Sequence, residues 1–305
     1  MKDVRAQSRR EFLATLGASL AVASATGINA VAQTASPAKA PAPPRRKRVL
    51  AIGDVHTAYQ HDSVSHALAT IERLGTSTGL FDTFIRTDTQ LITKSPVYGI
   101  GKYGPSGPRG TNAKNLNDFD AIFFYGLGEE DLTDAQKKDL LSFIHDDGKG
   151  FVGAHSAIDA FFSWAEYGQM LGAYFDNHPW GVFNAPVIVE QPSFPGFKQF
   201  PKEFYIQDEI YVATDTPYSR KDLDVLARLD ASKIDLKVKD LHRTDGDFPV
   251  AWVKQYGKGN VFYSTFGHPV AAWDNPDVQT MYLEAIKWAL GMTQYTPKPH
   301  PLPKS

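Results

Sequence analysis

The chain of 305 residues contains no cysteine. No disulfide can brace it, no thiolate can attack a substrate, and no metal site in it can use cysteine sulfur. A surplus of one charge is missing too: 32 lysines and arginines stand against 34 aspartates and glutamates, a formal −2. No basic block lies in the body of the chain, which argues against a nucleic-acid partner. Long apolar runs are absent as well. The stretch from Leu13 to Ile28 is short and rich in Ala, Gly and Ser, which argues against a stable membrane anchor. There is no HExxH, no tight His-x-His and no internal repeat. What remains, 42% hydrophobic and 22% charged residues, is the composition of a globular protein with one large core or two modest ones.

The N-terminus carries the clearest targeting pattern. Ser8-Arg9-Arg10-Glu11-Phe12-Leu13 precedes the Ala-rich run, and Ala30-Val31-Ala32 fits an A-x-A cleavage site. Residues 1–32 are therefore expected to be a twin-arginine export signal. The expected partner is the twin-arginine translocation machinery, and the expected location is periplasmic or secreted. That route carries folded proteins, often with a cofactor or metal already loaded. Residues 33–47, rich in Pro and Ala, read as a disordered linker ending in the basic cluster Arg45 to Arg48. Residues 48–291 read as a single domain, and 292–305 as a flexible tail.

Within that domain, Arg48 to Gly53 is a short apolar strand. Asp62 or Ser63 can cap a helix running to about Leu74. Leu80 to Ile85 is a second strand. Residues 88–117, Gly/Pro-rich and aperiodic, form a long loop expected to be functional or mobile. Phe119 to Tyr125 is a buried strand. Thr133 to Gln136 is a capping box opening a helix, and Phe151 to Ala154 is the next strand. This alternation predicts an α/β fold with a mainly parallel central sheet and helices on both faces. From Phe183 the pattern turns to strand-like segments separated by turns (183–190, 204–213, 224–230, 248–256, 259–266), an antiparallel β extension. A last helix starts at Asn275-Pro276 and ends at Gly291.

Ligands of open parallel sheets bind beyond the carboxyl ends of the strands. Here those ends carry histidine although the chain has only nine. Asp54, His56, His61 and Asp62 follow the first strand. Glu129, Glu130 and Asp131 follow the buried strand. His155, Ser156 and Asp159 follow Phe151 to Ala154, and His268 follows the last strand in Phe266-Gly267-His268-Pro269. His155 stands at a strand-to-turn apex, where an imidazole can act as general base, electrophile or metal ligand. Ser156 is a poor nucleophile candidate, because Gly153-Ala154-His155-Ser156-Ala157 does not match G-x-S-x-G. His178 lies in Asp176-Asn177-His178-Pro179-Trp180, after a helix. In the alternating stretch YIQDEIYV one of Asp208 and Glu209 should point inward. An inward Glu209 could be an acid/base group or a ligand, and a solvated pair is the rival reading. Trp164 and Trp180 flank these segments, either as sugar-stacking platforms or as core. His56, His66, His145 and His242 have no special context. The histidines could meet only from distant segments, so a divalent metal such as zinc stays open, with His155, His178 and His268 as candidates.

HDS (61–63), GFVGAHSAIDAF (150–161), GAYFDNHPW (172–180), DEIY (208–211) and FPVAWVKQYGKGNVFYSTFGHP (248–269) resemble the trehalose-utilisation, or ThuA-like, family across about residues 48–291. One departure is Asn260, where many relatives are expected to carry an arginine. The resemblance implies a flavodoxin-like, class I glutamine amidotransferase-like fold. In such amidotransferases a cysteine occupies the elbow and a histidine follows a late strand. Here His155 stands at the first position and His268 resembles the second, so chemistry through a cysteinyl intermediate is excluded. The family is associated with breakdown of trehalose and related disaccharides through 3-keto sugars. Taken with the expected export signal, the resemblance implies an exported enzyme acting on a keto-glycoside or keto-sugar by isomerisation or elimination. His155 and His268 are the expected proton-transfer and oxyanion groups, Asp159 orients a histidine, and Glu209 is a further acid/base. His61, Asp62, Trp164, His178 and Trp180 line the pocket. Metal-dependent hydrolysis of a glycoside or ester and non-enzymatic sugar binding are the alternatives. Oligomeric state stays open, a homo-oligomer included.

Overall fold

The computed structural model describes residues 45–53, 59–129 and 131–303. The expected export signal, the expected linker up to residue 44, Asp54, His56 and Glu130 lie outside the described residues. In chain order the elements are β1 (Lys47–Ile52), α1 (Val64–Thr78), β2 (Phe81–Arg86), β3 (Ala121–Phe124), α2 (Asp134–His145), β4 (Gly150–Ala154), α3 (Ala165–Leu171), β5 (Phe175–Asn177), β6 (Val182–Val189), β7 (Glu203–Glu209), β8 (Val212–Ala213), β9 (Asp224–Leu229), β10 (Pro249–Tyr256), β11 (Gly259–Ser264), α4 (Val270–Asp274) and α5 (Pro276–Ala289). β1 pairs parallel with β2 on one side and β3 on the other. β4 pairs parallel with β3 and β11. The parallel strands thus run in the order β2-β1-β3-β4-β11, the doubly wound order of flavodoxin-like folds. β10, β9, β6 and β7 continue the same sheet antiparallel, the expected extension. β5 and β8 form a small separate pair.

The apolar runs of the parallel strands follow from this layering. Residues 49–52 of β1 are all fully buried, yet they alternate between two cores. Val49 and Ala51 join Leu68 and Ile71 of α1 and Ile286 of α5. Leu50 and Ile52 join Leu140 and Phe143 of α2. The expected capping box is present on α2: the Thr133 side chain accepts from the Gln136 N–H, and the Gln136 side chain accepts from the Thr133 N–H. Asn275 caps α5 with Pro276 in its first turn. At α1 the expectation fails. Ser63 sits at the N-cap position without capping the helix. Its hydroxyl turns inward, 2.8 Å from the Tyr125 hydroxyl and 2.9 Å from the Gly267 carbonyl that accepts from it.

Three expected loose segments are tied down. Arg45 and Arg46, at the end of the presumed solvated linker, pair with Asp120 and Asp82 at 3.0 Å. The segment 88–117 is closed by a bridge between Val97 and Ala113 and buries Leu91, Ile92 and Leu116 in the core. The expected flexible tail is strapped to β9. The Tyr295 hydroxyl donates to Asp224 (2.7 Å), the Lys298 N–H donates to the same carboxylate (2.8 Å), and the His300 ring lies 3.5 Å from Glu190. Asn260 donates to the Trp288 carbonyl at 2.9 Å, so this position bonds the end of α5 without a charge. No described helix is long and apolar enough to cross a membrane.

Candidate functional site

Four segments converge at the carboxyl end of the parallel sheet. His61 lies between β1 and α1, His155 directly follows β4, and His268 follows β11. Glu209 is the last residue of β7. In pairing order β7 is the far edge of the sheet, yet its end touches the loop after β11. The link is Asp208, fully buried, whose carboxylate accepts the N–H groups of Gly267 (2.9 Å), His268 (3.0 Å) and Glu209 (2.9 Å). One oxygen or nitrogen from each of His61, His155, Glu209 and His268 lies within 4.8 Å of the others.

Each imidazole is held by a different device. His155 has φ +42°, a left-handed conformation that costs energy outside glycine. The Tyr263 hydroxyl donates to its carbonyl at 2.7 Å. Its Nδ1 lies 2.7 Å from the Thr265 carbonyl. A carbonyl only accepts, so Nδ1 carries the hydrogen and Nε2 presents a lone pair. That lone pair lies 3.2 Å from Nδ1 of His268, which is also 2.9 Å from Glu209 Oε2. The His61 ring is edge-on to those of His155 and His268, with Nε2 3.4 Å from the Tyr211 hydroxyl. Gly267 makes the last turn work: its φ is +131°, and a Cβ there would meet the Trp273 indole at 2.8 Å. Its carbonyl accepts from Ser63, Tyr125 and Trp273.

Burial sets the electrostatics. It holds His155 well below the ordinary imidazole value, and the neighbouring His61 adds to this. Burial likewise lowers His61 to about 4. His268 goes the other way, raised by its hydrogen bond to Glu209. Two carboxyls are pushed up to about 7 by loss of water, Asp208 and Asp159. Three members of the cluster, His61, Glu209 and His268, form the floor of a cavity of about 380 Å³, whose other lining residues are Tyr59, Leu127, Asp159, Phe175, His178 and Tyr211. That volume lies within the range of small-molecule sites, about 300–1,000 Å³.

The structure redistributes the residues singled out in the sequence. His61, His178, Glu209, His268 and Asp159 line the cavity, whereas His155 is fully buried behind it. Asp159 does not orient a histidine: among the described residues its carboxyl bonds to none, and the Thr265 carbonyl and Glu209 do that work. His178 follows β5 and not a helix. It is half-exposed, stands outside the convergent four and reaches only the second oxygen of Glu209, at 3.3 Å. The inward-outward alternation expected of Asp208 and Glu209 also fails. Both are buried, because Asp208 is used up on three N–H groups where β7 meets the loop after β11. Trp164 is buried in the core against Phe161 and Tyr167 and does not line the cavity. Trp180 packs on Phe183 and Phe248 and donates to the Asp235 carbonyl, away from the cavity. Asp62 is exposed and outside the lining. Ser156 donates to the Gly126 carbonyl, and Glu129 accepts from Ser163. Sequence reasoning missed Tyr59, Phe175 and Tyr211 as walls and Asp208 as the fastener. Tyr211 was visible in the DEIY stretch, two residues beyond Glu209.

Comparison with known proteins adds a family-level match. The family profile described as ThuA, trehalose utilisation, matches residues 48–289. Among solved structures, a ThuA-like protein from Bacteroides uniformis is 23% identical with a TM-score of 0.62, covering 84% of this chain and 95% of that one. A ThuA-like protein from Parabacteroides merdae is 18% identical with a TM-score of 0.57, covering 84% and 94%. At these identities the two structures speak for the fold alone. No curated protein matches the sequence.

Proposed function

The chain belongs to the ThuA, or trehalose-utilisation, family, and from that membership we propose that it is an exported enzyme of carbohydrate breakdown that moves a proton beside the ketone of a 3-keto-glycoside. The observation that carries this reading is the cavity itself. Its floor holds imidazoles and a carboxylate, while its wall holds one carboxyl, Asp159, poised near neutrality. A ketone acidifies the neighbouring C–H. An acid/base group is most effective when its pKa lies near the working pH, and it contributes about 10²–10⁴-fold. Asp159 meets that condition, and among the described residues its carboxyl makes no hydrogen bond to a histidine that would hold it in another role, so it is the proposed base. His268 faces the cavity with Glu209 bonded to its Nδ1, and its imidazole is the group that can meet the charge gathering on the enediolate oxygen. His155 acts as a positioning residue, since it is fully buried and meets the cavity through its neighbours His268, Glu209, His61 and Tyr211. Tyr59, Phe175 and Tyr211 offer ring faces and His178 a polar rim.

Loss of the C2 proton to Asp159 would place charge on the C3 oxygen. Return of a proton at another carbon gives isomerisation. Departure of the C1 oxygen, with a proton supplied to it, gives elimination and a free alcohol. Incubation of the purified protein with 3-keto-trehalose tests this. The expected result is an isomer or an unsaturated keto sugar with released glucose. No turnover by the folded protein contradicts it. Metal-dependent hydrolysis is the second reading, favoured by the convergence of His61, His155, Glu209 and His268. It would release two intact sugars with one water added. Export by the twin-arginine route belongs to the same proposal and rests on Arg9-Arg10 and the run that follows.

A further inference from the structure

We propose that His61, His155, Glu209 and His268 hold one divalent first-row cation at the floor of the cavity, with His178 orienting Glu209 from outside. The spacing fits. Four donors about 2.0–2.2 Å from a tetrahedral zinc-like ion lie about 3.3–3.6 Å from one another. The distances among His155 Nε2, His268 Nδ1 and Glu209 Oε2 are 3.2, 2.9 and 3.7 Å, and the His61 donor closes the set within 4.8 Å. The donors are also prepared for a cation. The Thr265 carbonyl fixes the hydrogen of His155 on Nδ1 and aims the Nε2 lone pair into the cluster, the way ligand histidines are commonly oriented. Asp208 clamps the main chain of both Glu209 and His268, so two of the four donors are set by one buried carboxylate.

The bare cluster is short of hydrogens. The His155 lone pair and the Glu209 oxygen both face the single Nδ1 of His268, and three of the four residues are buried. A cation between them satisfies all of these acceptors at once and offsets the Glu209 charge, which would otherwise repel an enediolate. Imidazole with carboxylate favours zinc, manganese, iron, cobalt or nickel over magnesium and calcium. Bound there, the ion would supply Lewis-acid polarisation of a substrate oxygen. The assignment stands on the donor geometry and does not need the sugar. A protein without a cation leaves proton transfer by Asp159 standing, and a loaded protein inert on keto sugars leaves this site standing.

The test is to strip the full chain with a chelator, then titrate it with Zn²⁺, Mn²⁺ and Co²⁺ by calorimetry, with elemental analysis of the protein as purified. Circular dichroism verifies that each variant is folded. The expected result is about one ion per chain, affinity reduced at least tenfold in both His61→Gln and Glu209→Gln, and no change in the surface variant His242→Gln. Binding of none of the three ions overturns the proposal. So does binding that persists in both folded site variants, or that falls equally in His242→Gln.

Discussion

Burial pushes the Asp159 carboxyl up to about 7, and this one value ties turnover to stability. The titratable groups that share its cavity are Tyr59, His61, His178, Glu209, Tyr211 and His268. As the base it must be ionised, so turnover should rise with pH through about 7. Asp159→Asn should lower turnover by about 10²–10⁴-fold, read as a pH–rate profile of both proteins. Stability runs the opposite way. The folded-state pKa lies above the ordinary 3.8, so the native state loses stability as pH rises from about 4 through 7. Urea unfolding should find Asp159→Asn more stable than the parent at pH 8 and equal to it near pH 4. An unchanged difference across that range would remove the assignment. Asp208 makes a structural counterpart. Asp208→Asn turns an NH₂ toward N–H groups that need an acceptor, and should destabilise the fold by about 1–3 kcal/mol.

The helix ends and turns differ in how far their partners lie along the chain. Thr133→Ala removes the local cap of α2 and should cost about 1 kcal/mol in urea unfolding. Gly267→Ala should cost more than 1 kcal/mol, because the backbone is left-handed there and Trp273 blocks a Cβ. The same contrast governs what the sequence revealed. The capping box needs only four consecutive residues, and the strands of the parallel core need only a short apolar run, so both were legible. Ser63 looked like a cap for the same local reason. Its real partner, the Gly267 carbonyl, is 204 residues away. Trp164 and Trp180 could not be sorted into wall or core, since the choice depends on which face of a distant element each ring meets. Histidines clustered at strand ends were legible because the sheet topology carries strand ends to one edge. Glu209 and Asp208 were only half legible, because pairing order alone puts β7 far from β4.

At the scale of the whole molecule, the chain is closed by its own C-terminus. Tyr295 and Lys298 bond Asp224 of β9, and His300 lies against Glu190, just past β6. Truncation after Gly291 should lower the thermal midpoint, and an unchanged midpoint would show the strap to be dispensable. The parallel half supplies three of the four site segments and the antiparallel extension supplies Glu209 and its clamp, so neither half alone forms the cavity floor. Replacing Arg9 and Arg10 by lysine should keep the protein in the cytoplasm of fractionated cells, and undiminished export would sink the proposed route. The central claim is proton removal beside a ketone in this cavity. The most direct measurement is NMR of a 3-keto-glycoside in D₂O with the protein added. The expected result is deuterium entering the carbon next to the ketone faster than in buffer, with the gain lost in Asp159→Asn. Exchange no faster than in buffer, with the folded protein in place, would contradict it.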